Sequence, residues 1–196
     1  MDLTARKFSE LGVTAEYHGV KLSLFCGSKK TRKYFHNYCQ RAMENMKGRG
    51  TGLFVIGPQN SGKTFLGVCA MKAYLHAGYT ARRINLDELV SVHVESYRDG
   101  SLLDPFKAAH LLFIDSVGQE KPNDTVGYCL SGLLNFRNER RLATIIGSSV
   151  DLDTLDSQYS KYGLPKLVRR NMVIIRISEI NGLERKLYEA NKRIVK

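Results

Sequence analysis

Gly57-Pro58-Gln59-Asn60-Ser61-Gly62-Lys63-Thr64 reads G-x-x-x-x-G-K-T, between the apolar run Leu53-Phe54-Val55-Ile56 and a helix-like stretch over 65–76. In that setting the pattern predicts a phosphate-binding loop. Glycines let main-chain N–H groups turn inward around phosphate oxygens, and the helix that follows aims its positive end at them. Lys63 would reach the terminal phosphates. Thr64 offers a hydroxyl to Mg²⁺, a hard ion that prefers oxygen ligands and is commonly shared between protein and nucleotide. Gly57, Pro58, Gln59, Asn60, Ser61, Gly62, Lys63, Thr64 and Phe65, at the start of the helix, form the candidate set for a nucleoside triphosphate.

His110-Leu111-Leu112-Phe113-Ile114-Asp115 is an apolar strand that ends in a carboxylate. Strand ends often carry Asp as a turn residue, but beside a phosphate loop Asp115 becomes the candidate acid that orients Mg²⁺. Hydrolysis also needs a group to orient the attacking water. Ser116 follows Asp115, and a serine hydroxyl is a poor general base at neutral pH. Two acids are substitutes to test against the fold, Glu120 by folding back and Glu88 by projecting from a neighbouring strand.

These groups need a scaffold. Apolar runs over 53–56, 79–84, 111–114, 144–146 and 173–177 read as buried strands, and helical patterns over 63–76, 86–97, 124–140 and two short pieces after Asp151 fill the gaps. That alternation predicts an α/β fold, a three-layer parallel sheet with helices on both faces, with the ligand beyond the carboxyl ends of the strands. Around Lys47-Gly48-Arg49-Gly50 the chain divides into residues 1–48, a basic helical segment, and 49–196, the domain that carries the phosphate loop. Within the first segment a helix is expected over 29–46. Lys29, Lys30, Arg32, Lys33 and Arg41 accompany Tyr34, Phe35 and Tyr38 there. An amphipathic helix with solvated lysines accounts for this stripe, and aromatics interleaved with cations bind nucleic acid by the alternative reading.

The 196 residues, 43% hydrophobic and 25% charged, suffice for one sizeable core. A net charge of +11 points to a polyanionic partner, with nucleic acid the natural candidate. The first twenty residues lack a continuous apolar core, so neither a secretory signal nor a membrane span is expected. Four cysteines without a C-x-x-C pair suit a reducing compartment, and a cytoplasmic location follows as an expectation. His18, Cys26, His36 and Cys39 could in principle surround Zn²⁺, but their spacing matches no common zinc module.

With these residues placed, the chain resembles the AAA+ ATPases of the DnaC-type replicative helicase loaders and the related IstB-type transposition helpers, over roughly residues 50–185. The resemblance rests on Gly52 through the phosphate loop, on Arg83-Ile84-Asn85-Leu86-Asp87-Glu88-Leu89, on the Asp115 strand, and on Thr144-Ile145-Ile146-Gly147-Ser148-Ser149 followed by Asp151. It implies ATP as the nucleotide and Mg²⁺ as its ion. It also implies that Ser148 or Ser149 senses the terminal phosphate. Tyr162-Gly163-Leu164-Pro165-Lys166-Leu167-Val168-Arg169-Arg170 looks like the arginine-finger helix of that family. Arg170, or else Arg169, would then complete the ATP site of a neighbouring subunit in a homo-oligomer. An arginine in that role contributes on the order of 10³-fold in rate. Arg185 looks like the second-sensor arginine, at the head of a lid reduced to one helix over 183–194. Ser116 departs from the acidic pair of the family.

The function implied is an ATP-binding, ATP-hydrolysing oligomer that binds DNA and loads or positions a replicative helicase. A transposition-targeting ATPase, a small viral DNA-packaging motor and a non-hydrolysing nucleotide-gated scaffold are the alternatives. No membrane role is implied.

Overall fold

The computed structural model describes residues 5–177. Its centre is a five-stranded, wholly parallel sheet in the order β2-β3-β4-β1-β5. The strands are β1 Gly52–Ile56, β2 Ala81–Asn85, β3 Leu111–Val117, β4 Ala143–Ser148 and β5 Met172–Arg176. The helices are α1 Ala5–Glu10, α2 Lys29–Gln40, α3 Ala42–Lys47, α4 Lys63–His76, α5 Leu86–Glu95, α6 Asp104–Ala108, α7 Asp124–Glu139, α8 Leu152–Tyr159 and α9 Leu164–Asn171.

Alternation along the strands builds two cores. Leu53 and Val55 of β1, Leu111 and Phe113 of β3, and Ala143 and Ile145 of β4 face one cluster, which α4 fills with Leu66, Val68, Ala70 and Met71. Phe54, Ile56, Leu112, Ile114 and Ile146 face the other, under α5, α7, α8 and α9. Residues one apart in a strand point to opposite faces, so continuous apolar strands demand helices on both sides. Phe8, Val13, Val20, Phe25, Phe35 and Ala42 of the N-terminal segment lie in the same cluster as α4.

Helix starts follow capping chemistry. Ser28, Asn123 and Asp151 each accept a backbone N–H from the third residue on, at 3.1, 3.0 and 3.0 Å, and begin α2, α7 and α8. The helix expected over 29–46 is broken instead at Arg41 (φ −93°, ψ 17°) into α2 and α3. The break accompanies a local need. Asn45 takes the Thr51 N–H at 2.7 Å and donates to the Thr51 carbonyl at 2.8 Å, satisfying both main-chain groups where β1 begins. The second strand starts later than 79, because Tyr79 N–H bonds the Tyr74 carbonyl to finish α4 and Gly78 makes that turn at φ +86°.

Arg137 of α7 is fully buried and has no carboxylate partner among the described residues. Its guanidinium donates to the carbonyls of Phe106, Lys107, Ala109 and Ala143 and to the Thr144 hydroxyl. It ties α6 and the entries of β3 and β4 to one point.

Candidate functional site

β1 delivers Gly57 beyond the sheet edge, where its N–H bonds the Ser148 carbonyl at 3.1 Å. The loop needs glycine at two places. A Cβ on Gly57 would lie 2.7 Å from Ser61 Oγ and 2.8 Å from the Ile177 carbonyl. At Gly62, with φ +92°, it would lie 2.7 Å from the Phe25 ring. Phe25 also packs on Phe65, rings 5.9 Å apart, so the N-terminal segment braces the loop from outside. Inside it, Ser61 Oγ is buried without a hydrogen-bond partner among the described residues.

α4 begins at Lys63 and puts its positive end on the loop. The Lys63 ammonium donates to the Gly57 carbonyl at 2.7 Å and the Pro58 carbonyl at 2.6 Å. Burial lowers its pKa, against the opposing pull of Asp115. A triphosphate would offer it anionic acceptors in place of neutral carbonyls.

Asp115, on β3 beside β4, is buried and gathers three donors. Thr64 Oγ1 donates to Oδ2 at 2.8 Å, Arg83 Nη2 donates to the same oxygen at 2.8 Å, and Ser116 N–H donates to Oδ1 at 3.0 Å. Arg83 comes from β2, where Asn85 lies in register with Asp115. Its Nη2 also reaches Asn85 Oδ1 at 2.9 Å, and Nη1 the Gly12 carbonyl at 3.0 Å, while Nε is buried without a partner among the described residues. A Cβ on Gly147 would stand 2.8 Å from Asp115 Oδ1, so β4 leaves room for the carboxylate. Ser116 adopts φ +65°, and the β3–β4 register shifts between Ile114 and Val117, a bulge at the site after which pairing resumes at Val117 and Ser148.

The arrangement fits a magnesium–nucleotide group. A hydroxyl and a carboxylate meet as oxygen donors beside a buried lysine. The glycine cradle is one that a side chain would fill, and Ser61 supplies an unspent polar atom. Thr64 and Asp115 would hold Mg²⁺, which would neutralise phosphate charge when bound.

Other residues named from sequence fall as follows. Ser148 ends β4 in register with Ile56, but its hydroxyl donates to the Val150 carbonyl at 2.6 Å and accepts the Val150 N–H at 3.1 Å. Ser149 Oγ donates to the Gly118 carbonyl at 3.1 Å. Glu120 accepts the Gly118 N–H at 2.7 Å and the Tyr159 hydroxyl at 2.8 Å, and makes no hydrogen bond to Asp115, Lys63 or Thr64. Glu88 is exposed on the first turn of α5. Arg169 and Arg170 are exposed in the last turn of α9, Arg169 at 3.8 Å from Asp153 and Arg170 without an ion pair among the described residues. Arg185 and the helix over 183–194 lie outside the described residues. His18 bonds the Val13 carbonyl, Cys26 Sγ the Leu24 carbonyl, and His36 is exposed. Burial pushes the Cys39 thiol up to about 12. The described residues contain no group of three or more His, Cys, Asp or Glu placed to hold a metal ion. Nor does any helix among them have the length and apolarity to cross a membrane.

Two contributors were not assigned from sequence. Arg83 had a signal, a charged residue on the same strand face as Asn85, but its meaning depends on β3 lying alongside. Gly147 had a clearer one, since glycine inside an apolar strand marks close approach of another group.

No protein-family model matches the sequence, and no curated protein matches it. Solved structures do. The DnaC helicase loader superposes with a TM-score of 0.74 at 18% identity, over 84% of this chain and 99% of that one. DnaI follows with a TM-score of 0.65 at 18% identity, over 80% and 94%. The replication initiator DnaA, bound to AMPPCP and single-stranded DNA, gives 0.70 at 19% identity over 91% of this chain, which spans 58% of that DnaA chain. The parallel sheet with its glycine loop between β1 and α4 is thus the fold of the DnaC helicase loader and of DnaA.

Proposed function

We propose that this chain is a AAA+ ATPase that binds ATP with Mg²⁺, assembles with copies of itself, binds DNA and positions a replicative helicase there. The observation that carries the reading is the contact of Thr64 Oγ1 with Asp115 Oδ2 at 2.8 Å, next to the buried Lys63 at the mouth of the glycine loop. Support for the role comes from likeness to a helicase loader across nearly the whole of that chain, and from a fold neighbour that holds AMPPCP and single-stranded DNA. The exposed Arg170 is free of described partners, as an arginine serving another subunit's phosphates must be.

The test is equilibrium binding of a fluorescent ATP analogue with and without Mg²⁺, followed by loading of the host's replicative helicase onto circular single-stranded DNA. Replacing Lys63→Ala removes charge-assisted hydrogen bonds worth about 1.5–3 kcal/mol, so nucleotide affinity should fall roughly 10- to 150-fold. Equal affinity in that variant would refute the site. A helicase that loads at the same rate without this protein would refute the role.

A nucleotide-gated scaffold that does not turn over is the second reading. It is favoured by Ser116 beside Asp115 and by Glu120 being tied to Gly118 and Tyr159. Phosphate release in the presence of DNA and helicase decides between the two.

A further inference from the structure

Helix α2 carries Lys29, Lys30, Arg32 and Lys33 and no acidic residue along its length. Only Thr31 and Phe35 are buried on it. Lys29, Lys30, Lys33, Tyr34, His36 and Asn37 are exposed. At helical spacing, Lys29, Arg32, Lys33 and His36 form one row, which with Leu22 and Ser23 lines a groove of about 370 Å³. Tyr34, Asn37, Tyr38 and Arg41 form a second row, and with Glu44, Asn45, Arg49 and Thr51 they line another groove of about 470 Å³. Among the described residues none of Lys29, Lys30, Arg32 or Lys33 makes an ion pair. Arg41 has only Glu44, at 3.9 Å and solvent-exposed.

Helix stability does not account for this charge. Lys29 and Lys30 occupy the first turn, where the macrodipole is positive and anions are preferred. Lys29 and Lys33 are a like-charged i,i+4 pair, which also destabilises a helix. Anchoring Phe35 would need only a polar opposite face, and mixed charges would serve it better. Repulsion kept with no internal partner indicates an external polyanion.

We propose that this face of α2 binds a single strand of nucleic acid, with phosphates along the Lys29–Arg32–Lys33 groove and a base stacked on the exposed ring of Tyr34. A stacking platform needs an unpaired base, which a duplex does not supply. The proposal rests on the reading of the chain as a DNA-binding protein, and it specifies the strand form and the surface.

The test is fluorescence anisotropy of a labelled mixed-sequence oligonucleotide, single-stranded and as duplex, titrated with the full chain over a salt series. The triple variant Lys29→Gln/Arg32→Gln/Lys33→Gln should lower the slope of log affinity against log salt by about 2, at roughly 0.7 per phosphate contact. Tyr34→Ala should weaken single-strand binding roughly tenfold while leaving that slope unchanged. Both variants should keep the affinity for a fluorescent ATP analogue, because the altered side chains lie outside the glycine loop, and the triple variant, relieved of like-charge repulsion, should melt no lower than the wild type. Wild-type DNA affinity in both variants would overturn the α2 assignment and leave the ATPase reading standing. Equal loss of single-strand and duplex binding in the triple variant, with Tyr34→Ala neutral, would overturn the single-strand claim in favour of a duplex surface. A wild-type chain that binds neither oligonucleotide would overturn this proposal together with the DNA-binding half of the proposed function.

Discussion

Replacing Arg83→Met tests whether the Asp115 carboxylate is held as the structure shows. The pair is 2.8 Å apart with side chains only 10% and 3% exposed, so solvent screens it little. Removing one member of a buried ion pair costs about 3–5 kcal/mol, because the other charge stays buried without compensation. Asp115 would retain the Thr64 hydroxyl and the Ser116 amide, and both are neutral. For a domain of this size the loss corresponds to a melting temperature lower by roughly 6–20 °C. Under the proposed function Mg²⁺ would be a second cation seeking Asp115. Saturating Mg²⁺ and ATP should therefore raise the variant's stability by more than they raise the wild type's, where ligand at about a hundred times its Kd adds roughly 2.7 kcal/mol. Urea denaturation with and without Mg²⁺–ATP, run also on Asp115→Asn and the double variant, reads each of these quantities. The double variant should lose clearly less than the sum of the two singles, since neither then leaves a buried charge behind. A loss below about 1 kcal/mol in Arg83→Met, or strict additivity in the cycle, would refute the argument.

Three further substitutions probe other parts of the chain. Gly147→Ala would place a methyl 2.8 Å from Asp115 Oδ1, with the Phe113 ring and Lys63 Cβ close behind; it should cost about 1–3 kcal/mol in urea and weaken Mg²⁺-dependent more than Mg²⁺-independent nucleotide binding. Arg137→Ala would strip four main-chain carbonyls of their donor and should destabilise the chain by about 3–5 kcal/mol in urea, with soluble expression at low temperature the first readout. Arg170→Ala should leave folding and nucleotide affinity intact and reduce turnover on the order of 10³-fold in a phosphate-release assay, whereas full turnover would remove it from the finger role.

Parts of the site that depend on local rules were legible in the sequence. Gly62 sits at a left-handed position that disfavours side chains, and Gly57 sits where any Cβ collides, so the loop's chemistry is written in consecutive residues. Asp115 closes an apolar run and needed only the strand to be recognised. Arg83 was different. Its residue type suggests a solvent-facing position on an edge strand, and only the β2–β3 register, with Asn85 opposite Asp115, turns it inward. Ser148 was placed correctly at the end of β4, yet its hydroxyl serves the turn at Val150, because a serine beside a free backbone amide competes for it locally. The Arg41 break was hidden for the reverse reason. Helical periodicity continues from α2 into α3, but the two main-chain groups of Thr51, six residues on, claim Asn45 where β1 begins.

The same contrast bears on Ser116. Sequence alone presents it as a missing acid, a loss to be made good by some other carboxylate. In the fold, Ser116 is the left-handed residue of a bulge whose amide fixes Asp115 Oδ1, while Arg83 and Thr64 fix Oδ2. Holding a non-glycine residue in that conformation costs roughly 1–3 kcal/mol, and such strain persists only where the surroundings over-determine it. Three donors on one buried carboxylate meet that condition. Chemistry at this end of β3 is therefore organised around holding Asp115 still, which the proposed nucleotide site would need whether or not a second acid is present to activate water.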